Sequence, residues 1–327
     1  MLVLAGHPDT MAALLPSGTS PAGWRRGHAV DAATAAVWEA LGGGLVPWVL
    51  DVPVPPPAVG FWPRLVLLAD APTSPFDVLR GRLAHTVGTA GPLACLALSG
   101  HGFHGFRGRE WLAAPGNLHL STAVPLGLPA SCAPALIMLP AVAVVDAVMA
   151  ATRGAIRPGI KWVSDVLVDE GKIAGMLTAT QVRGSNIDLA VIGIGLNVTT
   201  VPDVVPTPFV AAAGCLRQHA GGADLTPGDM LWHLLAALAT QVTRLRAEGP
   251  EPLWRDYRRA SIVIGRRVRV WDEGAAEGAD PARWPPPRGA GLVVDIDRNL
   301  GLSLHGRREP IGNGRLAFEE VCQAFGV

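Results

Sequence analysis

Apolar residues recur along this chain in two rhythms. Val30, Ala33, Val37 and Leu41 fall on one face of a helix, as do Met230, Leu234, Leu238, Val242 and Leu245 within Asp229–Ala247. Leu136–Thr152 is apolar on most faces, the pattern of a buried helix, and another helix is predicted over Phe76–Thr86. Short apolar runs bounded by turn residues predict strands at Val46–Leu50, Arg64–Ala69, Leu93–Leu98, Leu118–Val124, Gly159–Trp162, Val166–Val168, Ile173–Thr180 and Ile187–Ile194. Asp169–Gly171 joins two of them as a hairpin. This alternation marks residues 61–250 as one α/β unit. From 262 to 316 the chain carries only strand signals: Val263–Trp271, Gly291–Ile296 and Leu300–His305, with a turn at Asp297–Gly301. A Gly/Pro-rich stretch over 274–289 is a long loop. Residues 1–60 offer one short helix, one strand and a stiff Pro-rich connector at 52–60. His7 and Asp9 have no third metal ligand near them and belong to a loop turn.

Composition narrows the class. With 49 % hydrophobic and 17 % charged residues over 327 positions, a sizeable core is within reach and wholesale disorder is not. Lys+Arg and Asp+Glu balance at 27 each, which argues against a broad nucleic-acid-binding face. The Ala-rich helix and Pro run of residues 1–60 cannot present a recognition helix, so no nucleic-acid partner is expected. No run reaches the roughly 18 uninterrupted apolar residues of a membrane span, and no basic leader opens the chain. A cytoplasmic protein without a membrane partner is expected. Cys95, Cys132, Cys215 and Cys322 are scattered without a CxxC pair, as for reduced buried thiols. His101 and His104 lack an acidic neighbour, and His119 stands apart, so no metal site is assigned.

The chemistry concentrates in residues 99–121, SGHGFHGFRGREWLAAPGNLHLS. Gly102, Gly105 and Gly108 allow close backbone approach to an anion, and Arg107 and Arg109 supply forked donors for phosphate. Four further segments follow: KWVSD at Lys161–Asp165, GKIAGML at Gly171–Leu177, GIGLNV at Gly193–Val198, and GRRVRV…GLVVDIDRNLGLSL near the C-terminus. The five segments, in this order, resemble the biotin–protein ligase family, whose patterns read GRGRRGRxWxSPxGNLxxS, KWPND, GKKIAGIL and GIGINV. The resemblance spans about residues 62–320.

That resemblance implies an α+β fold, a mixed sheet packed with helices as in class II synthetases, followed by a small SH3-like β-barrel. Its division is 1–60 as an N-terminal extension, 61–258 as the catalytic domain and 259–327 as the barrel. It implies an ATP-dependent ligase that forms an acyl-adenylate, most simply biotinyl-AMP, and transfers the acyl group to a lysine of a biotin carboxyl carrier-type protein. ATP, Mg2+ and biotin are the small molecules implied; pairing into a homodimer stays open. By the same resemblance, Lys161 bonds the acyl carboxylate and the α-phosphate, and Arg109 and Arg107 steady the phosphates beside Gly105 and Gly108. Lys172 serves the ATP end, Asp165 orients its neighbours or acts through Mg2+, and Trp111 and Asn117 take the adenine side. Gly175 lies in the GKIAG segment; Gly193 and Gly195 leave space for the acyl group, and Asn197 closes that wall. These residue types suit a carboxylate attacking a triphosphate, where fixed positive charge must offset repulsion.

The chain departs from the family pattern mostly on the acyl side. His104 and Phe106 stand where the family has arginine, Phe103 where it has glycine, and Gly100 where a glutamine is frequent. KWPND has become KWVSD, and the family's urea-binding Ser-Thr-Asn is Ala71-Pro72-Thr73-Ser74. Biotin therefore competes with a more apolar acid such as lipoate or octanoate, and with a non-catalytic ligand-binding role.

Overall fold

The computed structural model describes every residue except 17–18, 28–30, 43–45, 53–58, 84–90, 275–283 and 327. In chain order the strands and helices are β1 (Leu2–Ala5), α1 (Pro8–Met11), β2 (Arg25–Arg26), α2 (Ala32–Ala40), β3 (Trp48–Asp51), β4 (Arg64–Leu68), α3 (Pro75–Leu83), β5 (Leu93–Ala97), β6 (Leu118–Pro129), α4 (Ala133–Ala151), β7 (Gly159–Lys161), β8 (Asp165–Val168), β9 (Gly171–Arg183) and β10 (Asn186–Leu196). They are followed by β11 (Ala212–Ala213), α5 (Pro227–Glu248), α6 (Glu251–Ala260), β12 (Arg267–Trp271), β13 (Gly289–Ile296), β14 (Leu302–Leu304), β15 (Arg315–Phe318) and α7 (Glu319–Ala324). The first eleven strands form one mixed sheet in the order β2-β3-β1-β4-β5-β6-β10-β9-β8-β7, with β11 beside β9. The last four form an antiparallel sheet in the order β14-β13-β12-β15.

The N-terminal strands β1, β2 and β3 belong to the main sheet. β1 lies parallel to β4 and antiparallel to β3. A buried guanidinium locks this addition in place: Arg64 on β4 donates to Asp31 at 2.6 Å, to Thr34 at 2.8 Å and to the Gly91 carbonyl at 2.8 Å. Asp31 also caps α2 by accepting from the Thr34 N–H at 2.9 Å. A cation this deeply placed requires such partners, so the N-terminal helix and the sheet are bound through one network.

Helices cover both faces of the main sheet. α4, α5 and α6 pack on one, where Leu136, Leu139, Leu234, Leu238 and Tyr257 are buried with Ile192 and Ile194 of β10. The stretch Ala130–Ala151 is long and apolar enough to cross a membrane, but 72 % of its most apolar window is buried inside the protein, as befits a core helix. α2 and α3 cover part of the opposite face, burying Val37, Trp38, Phe76 and Leu79 against Val66 and Val191. α3 reaches as far as β10 on that face, its Phe76 lying over Gly193, and the candidate site forms at the β7–β10 end.

Several expected elements shift. His7–Asp9 opens a one-turn helix rather than a plain loop turn, because Pro8 sets the helical φ at its first position. The strand expected from Val263 begins at Arg267, since residues 262–266 form the turn that enters the second sheet. α6 and α7 were not anticipated: each is short, and α6 buries only Leu253 and Tyr257. The connector at 53–58, the end of the helix expected to reach Thr86 and most of the 274–289 loop lie outside the described residues.

Candidate active site

Strand register brings the site together. Lys161 pairs with Asp165. Asp165 pairs with Gly175 and Gly175 with Gly195. Gly195 pairs with His119, and His119 with Ala97. Cross-strand partners share a face, so Lys161 and Asp165 stand at one end of a row, two bare glycines in the middle and His119 beyond them. Gly193, two residues from Gly195, lies on the same face.

The glycines act as a platform. A Cβ on Gly195 would come within 2.2 Å of the Trp111 ring, one on Gly175 within 3.0 Å of it, and one on Gly193 within 3.1 Å of Phe76. Trp111 lies over the platform because the glycine loop folds as a small hairpin: the Trp111 N–H donates to the Phe103 carbonyl at 3.0 Å and the Gly105 N–H to the Arg109 carbonyl at 2.7 Å. Gly100 must be glycine, since a Cβ there would sit 2.5 Å from the Ala71 carbonyl oxygen. His104 anchors the hairpin to α3 through Asp77 at 2.8 Å, while its other ring nitrogen faces the Gly105 carbonyl at 3.0 Å. Both contacts favour the imidazolium, and the Gly105 carbonyl first and Asp77 next push its pKa up.

At the other end, Lys172 and Asp165 form an ion pair at 2.7 Å. The Lys172 ammonium also lies 5.7 Å from the centre of the Trp111 ring, which joins the lysine end to the glycine hairpin. Lys161 is 5 % exposed. Its ammonium donates to the Phe209 carbonyl at 2.5 Å. Burial pushes its pKa down to about 8, with Asp165 opposing that shift. Lys161, Asp165 and Lys172 line a solvent-connected cleft together with Asp169, Glu170, Phe209, Arg266 and Phe318. Phe209 is seated by stacking on Trp284 at 5.2 Å between ring centres. The cleft is thus walled by the main sheet on one side and by the second sheet on the other.

Other predicted residues are placed elsewhere. Arg107 and Arg109 at the hairpin tip reach the second sheet's Glu273: Arg107 donates to its carbonyl at 2.9 Å, and Arg109 lies 3.6 Å from its carboxylate. Gly105 and Gly108 belong to that same tip and do not line the cleft. Asn117 and Asn197 use their amides to hold the scaffold. The Asn117 oxygen accepts from the Val198 N–H at 2.9 Å and the Thr200 N–H at 3.2 Å. Asn197 donates to the Gly214 carbonyl at 3.0 Å. Together they bind the segment after β10 to the base of the hairpin. His119, weighed only as a metal ligand, Arg266, within GRRVRV, and Phe209 were given no role in the site from the sequence. The alternation of His119 with Leu118 and Leu120 puts it on the opposite face from those core leucines; Phe209 carries no comparable local signal.

The arrangement offers a buried ammonium, a second lysine with its carboxylate partner and a flat backbone platform under an indole. The Trp111 and Phe76 rings fill the space over Gly195 and Gly193, and Lys161 and Lys172 stand at one end of that row. Residues 91–197 match the model of the biotin/lipoate A/B protein ligase family, a span that contains the hairpin, both lysines and the glycine platform. Biotin–[acetyl-CoA-carboxylase] ligase of Paracoccus denitrificans is 30 % identical over 198 residues, covering 59 % of this chain and 82 % of that protein. The Mycobacterium tuberculosis protein of the same name is 31 % identical over 221 residues, covering 66 % and 74 %. In fold, the chain is similar to the Aquifex aeolicus biotin protein ligase solved with biotin and ATP, with a TM-score of 0.57 and 19 % identity over 78 % of this chain and 98 % of that one. Fold likeness at that identity speaks to architecture, whereas the two sequence relatives align along most of their own length, and on that ground the chain belongs to the biotin–protein ligase family.

Proposed function

We propose that this protein is an ATP-dependent biotin–protein ligase. It joins the biotin carboxylate to the α-phosphate of magnesium-ATP, expels pyrophosphate, and passes the biotinyl group to a lysine of a carboxyl carrier protein. The observation that carries this reading is the position of Lys161: a buried cation in register with the glycine platform, in a chain whose sequence relatives are biotin ligases.

In this reading the acyl chain takes the space over Gly175, Gly193 and Gly195 that the Trp111 and Phe76 rings fill here, so both rings swing aside as it enters. A carboxylate oxygen attacks the α-phosphorus, the bond to the bridging oxygen of the β-phosphate breaks, and pyrophosphate leaves with the electron pair. Lys161 stabilises the charge that gathers between carboxylate and α-phosphate. Its present acceptor, the Phe209 carbonyl, occupies the position a ligand oxygen would take. Lys172, held by Asp165, serves the nucleotide side. Arg107 and Arg109 approach the nucleotide by leaving Glu273, Arg107 giving up its hydrogen bond to the carbonyl and Arg109 a carboxylate 3.6 Å away. Mg2+ enters with ATP as part of the substrate. The four cysteines are free and buried, which fits a reducing cytoplasm.

The decisive test is pyrophosphate release on mixing protein, magnesium-ATP and one acid, with biotin, lipoate and octanoate in separate arms. Biotin is expected to give release and a raised melting temperature. Lys161→Ala is expected to abolish release while the protein stays folded. Release with octanoate or lipoate but not biotin would overturn the choice of acid; binding without any release would overturn the ligase reading.

A further inference from the structure

The cleft that holds Lys161 has a wall from outside the main sheet, and that wall carries a cation. We propose that Arg266, at the entrance to the second sheet, is a binding residue for the β- and γ-phosphates of ATP and for the pyrophosphate that leaves. The proposal rests on the ligase reading above and gives a role to a residue of the GRRVRV segment, to which the resemblance assigned none.

Three observations carry it. Arg266 lines the same cleft as Lys161 and Lys172. Its guanidinium lies 3.6 Å from the centre of the Phe318 ring, and the Lys161 ammonium lies 5.4 Å from the centre of that same ring. One phenylalanine, 5 % exposed, therefore takes one cation from the main sheet and one from the turn that enters the second. The same lining carries Asp165, which Lys172 neutralises, and Asp169 and Glu170, so the cleft has no excess of positive charge, and the case for Arg266 rests on its place in the lining and on the fit of a guanidinium fork to phosphate. Finally, the ionic partner of Arg266 is Glu320, and both side chains are substantially exposed, at 38 % and 53 %. An exposed ion pair is weak, so the guanidinium can turn from carboxylate to phosphate, for which its fork is well matched. The division of labour follows from position. Lys161, in register with the platform, meets the α-phosphate, and Arg266, across the cleft, meets the end of the triphosphate that departs.

A competing account makes Arg266 a structural clamp for α7 through Glu320 and Phe318. Calorimetric titration with magnesium-ATP, magnesium-pyrophosphate and AMP separates the two, using wild type, Arg266→Ala, Arg266→Lys and Glu320→Ala. The proposal expects Arg266→Ala to weaken ATP and pyrophosphate binding tenfold or more and to leave AMP within twofold. It expects Arg266→Lys to fall between, and Glu320→Ala to bind like wild type. In steady-state assays the loss appears in KM for ATP and not in KM for the acid. Wild-type affinities in Arg266→Ala would overturn the proposal, as would equal loss of AMP, or the same loss in Glu320→Ala. Should Arg266→Ala not fold, Arg266→Gln takes its place under the same criteria. If wild type itself forms no adenylate, the ligase reading fails; if wild type is active and only the Arg266 effect is missing, this inference alone fails.

Discussion

The indole N–H of Trp111 donates to Nδ1 of His119 at 3.2 Å. That bond assigns the tautomer: Nδ1 accepts, so Nε2 carries the proton and donates to the Ala114 carbonyl at 3.3 Å. Burial pushes the His119 pKa down to about 4, so the ring is neutral across the working range. The histidine thus fixes the indole above Gly195 from a position one strand away in the same row.

His119→Phe keeps the ring volume and deletes the acceptor. A single net hydrogen bond of this kind is worth about 1 kcal/mol, so adenylate formation is expected to drop about three- to tenfold while the melting temperature changes little. Gly195→Ala is expected to do more, because its methyl would occupy the space of the indole itself. Single-turnover pyrophosphate release checks both. An unchanged rate in both variants would show that Trp111 needs no fixed position.

Lys161 is expected to make activity and stability respond to pH in opposite directions. Its folded pKa lies near 8, below the ordinary 10.5, so the unfolded chain binds more protons between those values. Stability from this group therefore rises as pH climbs from about 8 to 10.5, and the full penalty is present below 8. The ammonium that stabilises the developing charge is meanwhile lost above about 8. The profile of kcat/KM, which reports the free enzyme, is expected to descend on that limb, and Lys161→Met is expected to be inactive yet more heat-stable at pH 7. A flat profile to pH 10 would contradict this role.

His104 gives the glycine hairpin a pH-dependent anchor. Its folded pKa is raised, by the Gly105 carbonyl and then by Asp77, so its contribution is complete below the ordinary value of 6.5 and is lost as pH rises through the folded value. Asp77 is shared with Arg80 at 3.0 Å, and the backbones of His104 and Glu110 pair across the hairpin. A histidine titration by NMR is expected to place His104 above 6.5 in wild type and lower in Asp77→Asn, with faster amide exchange at the hairpin in the variant. Equal pKa values in the two proteins would remove the anchor.

Much of the 61–250 region was legible because its signals are local. Alternating or continuous apolar runs ended by Gly, Pro or Asp predict strands wherever they pair, and β4, β5, β7, β8 and β10 lie within a few residues of expectation. β6 and β9 run longer than predicted, to Pro129 and Arg183, because each is held along its length by pairing with β10. Of the N-terminal strands, β3 matches the strand expected at Val46–Leu50, whereas β1 was illegible for the complementary reason. Leu2–Ala5 is four residues of apolar chain whose identity as a strand comes from β3 and β4, more than forty positions away. The site divides in the same way. Lys161, Asp165, Lys172 and the platform glycines were picked from motifs, and the structure gathers them around one cleft and one row. Asn117 and Asn197 were picked from the same motifs, yet their hydrogen bonds serve the scaffold, which no motif distinguishes from ligand contact.

By itself the sequence determined which segments extend or coil, where the backbone must be glycine, and which lysines and arginines accompany them. Those properties reside in single residues and their near neighbours, through propensity, period and φ > 0 turns. The tertiary structure decided what stands beside what: Lys161 in register with Gly195, His119 as the partner of Trp111, Arg64 closing the N-terminal strands onto the sheet, and Arg266 facing Lys161 across Phe318. These are relationships between distant parts of the chain, set by strand register and by the docking of two sheets, and neither is written in any local stretch of residues.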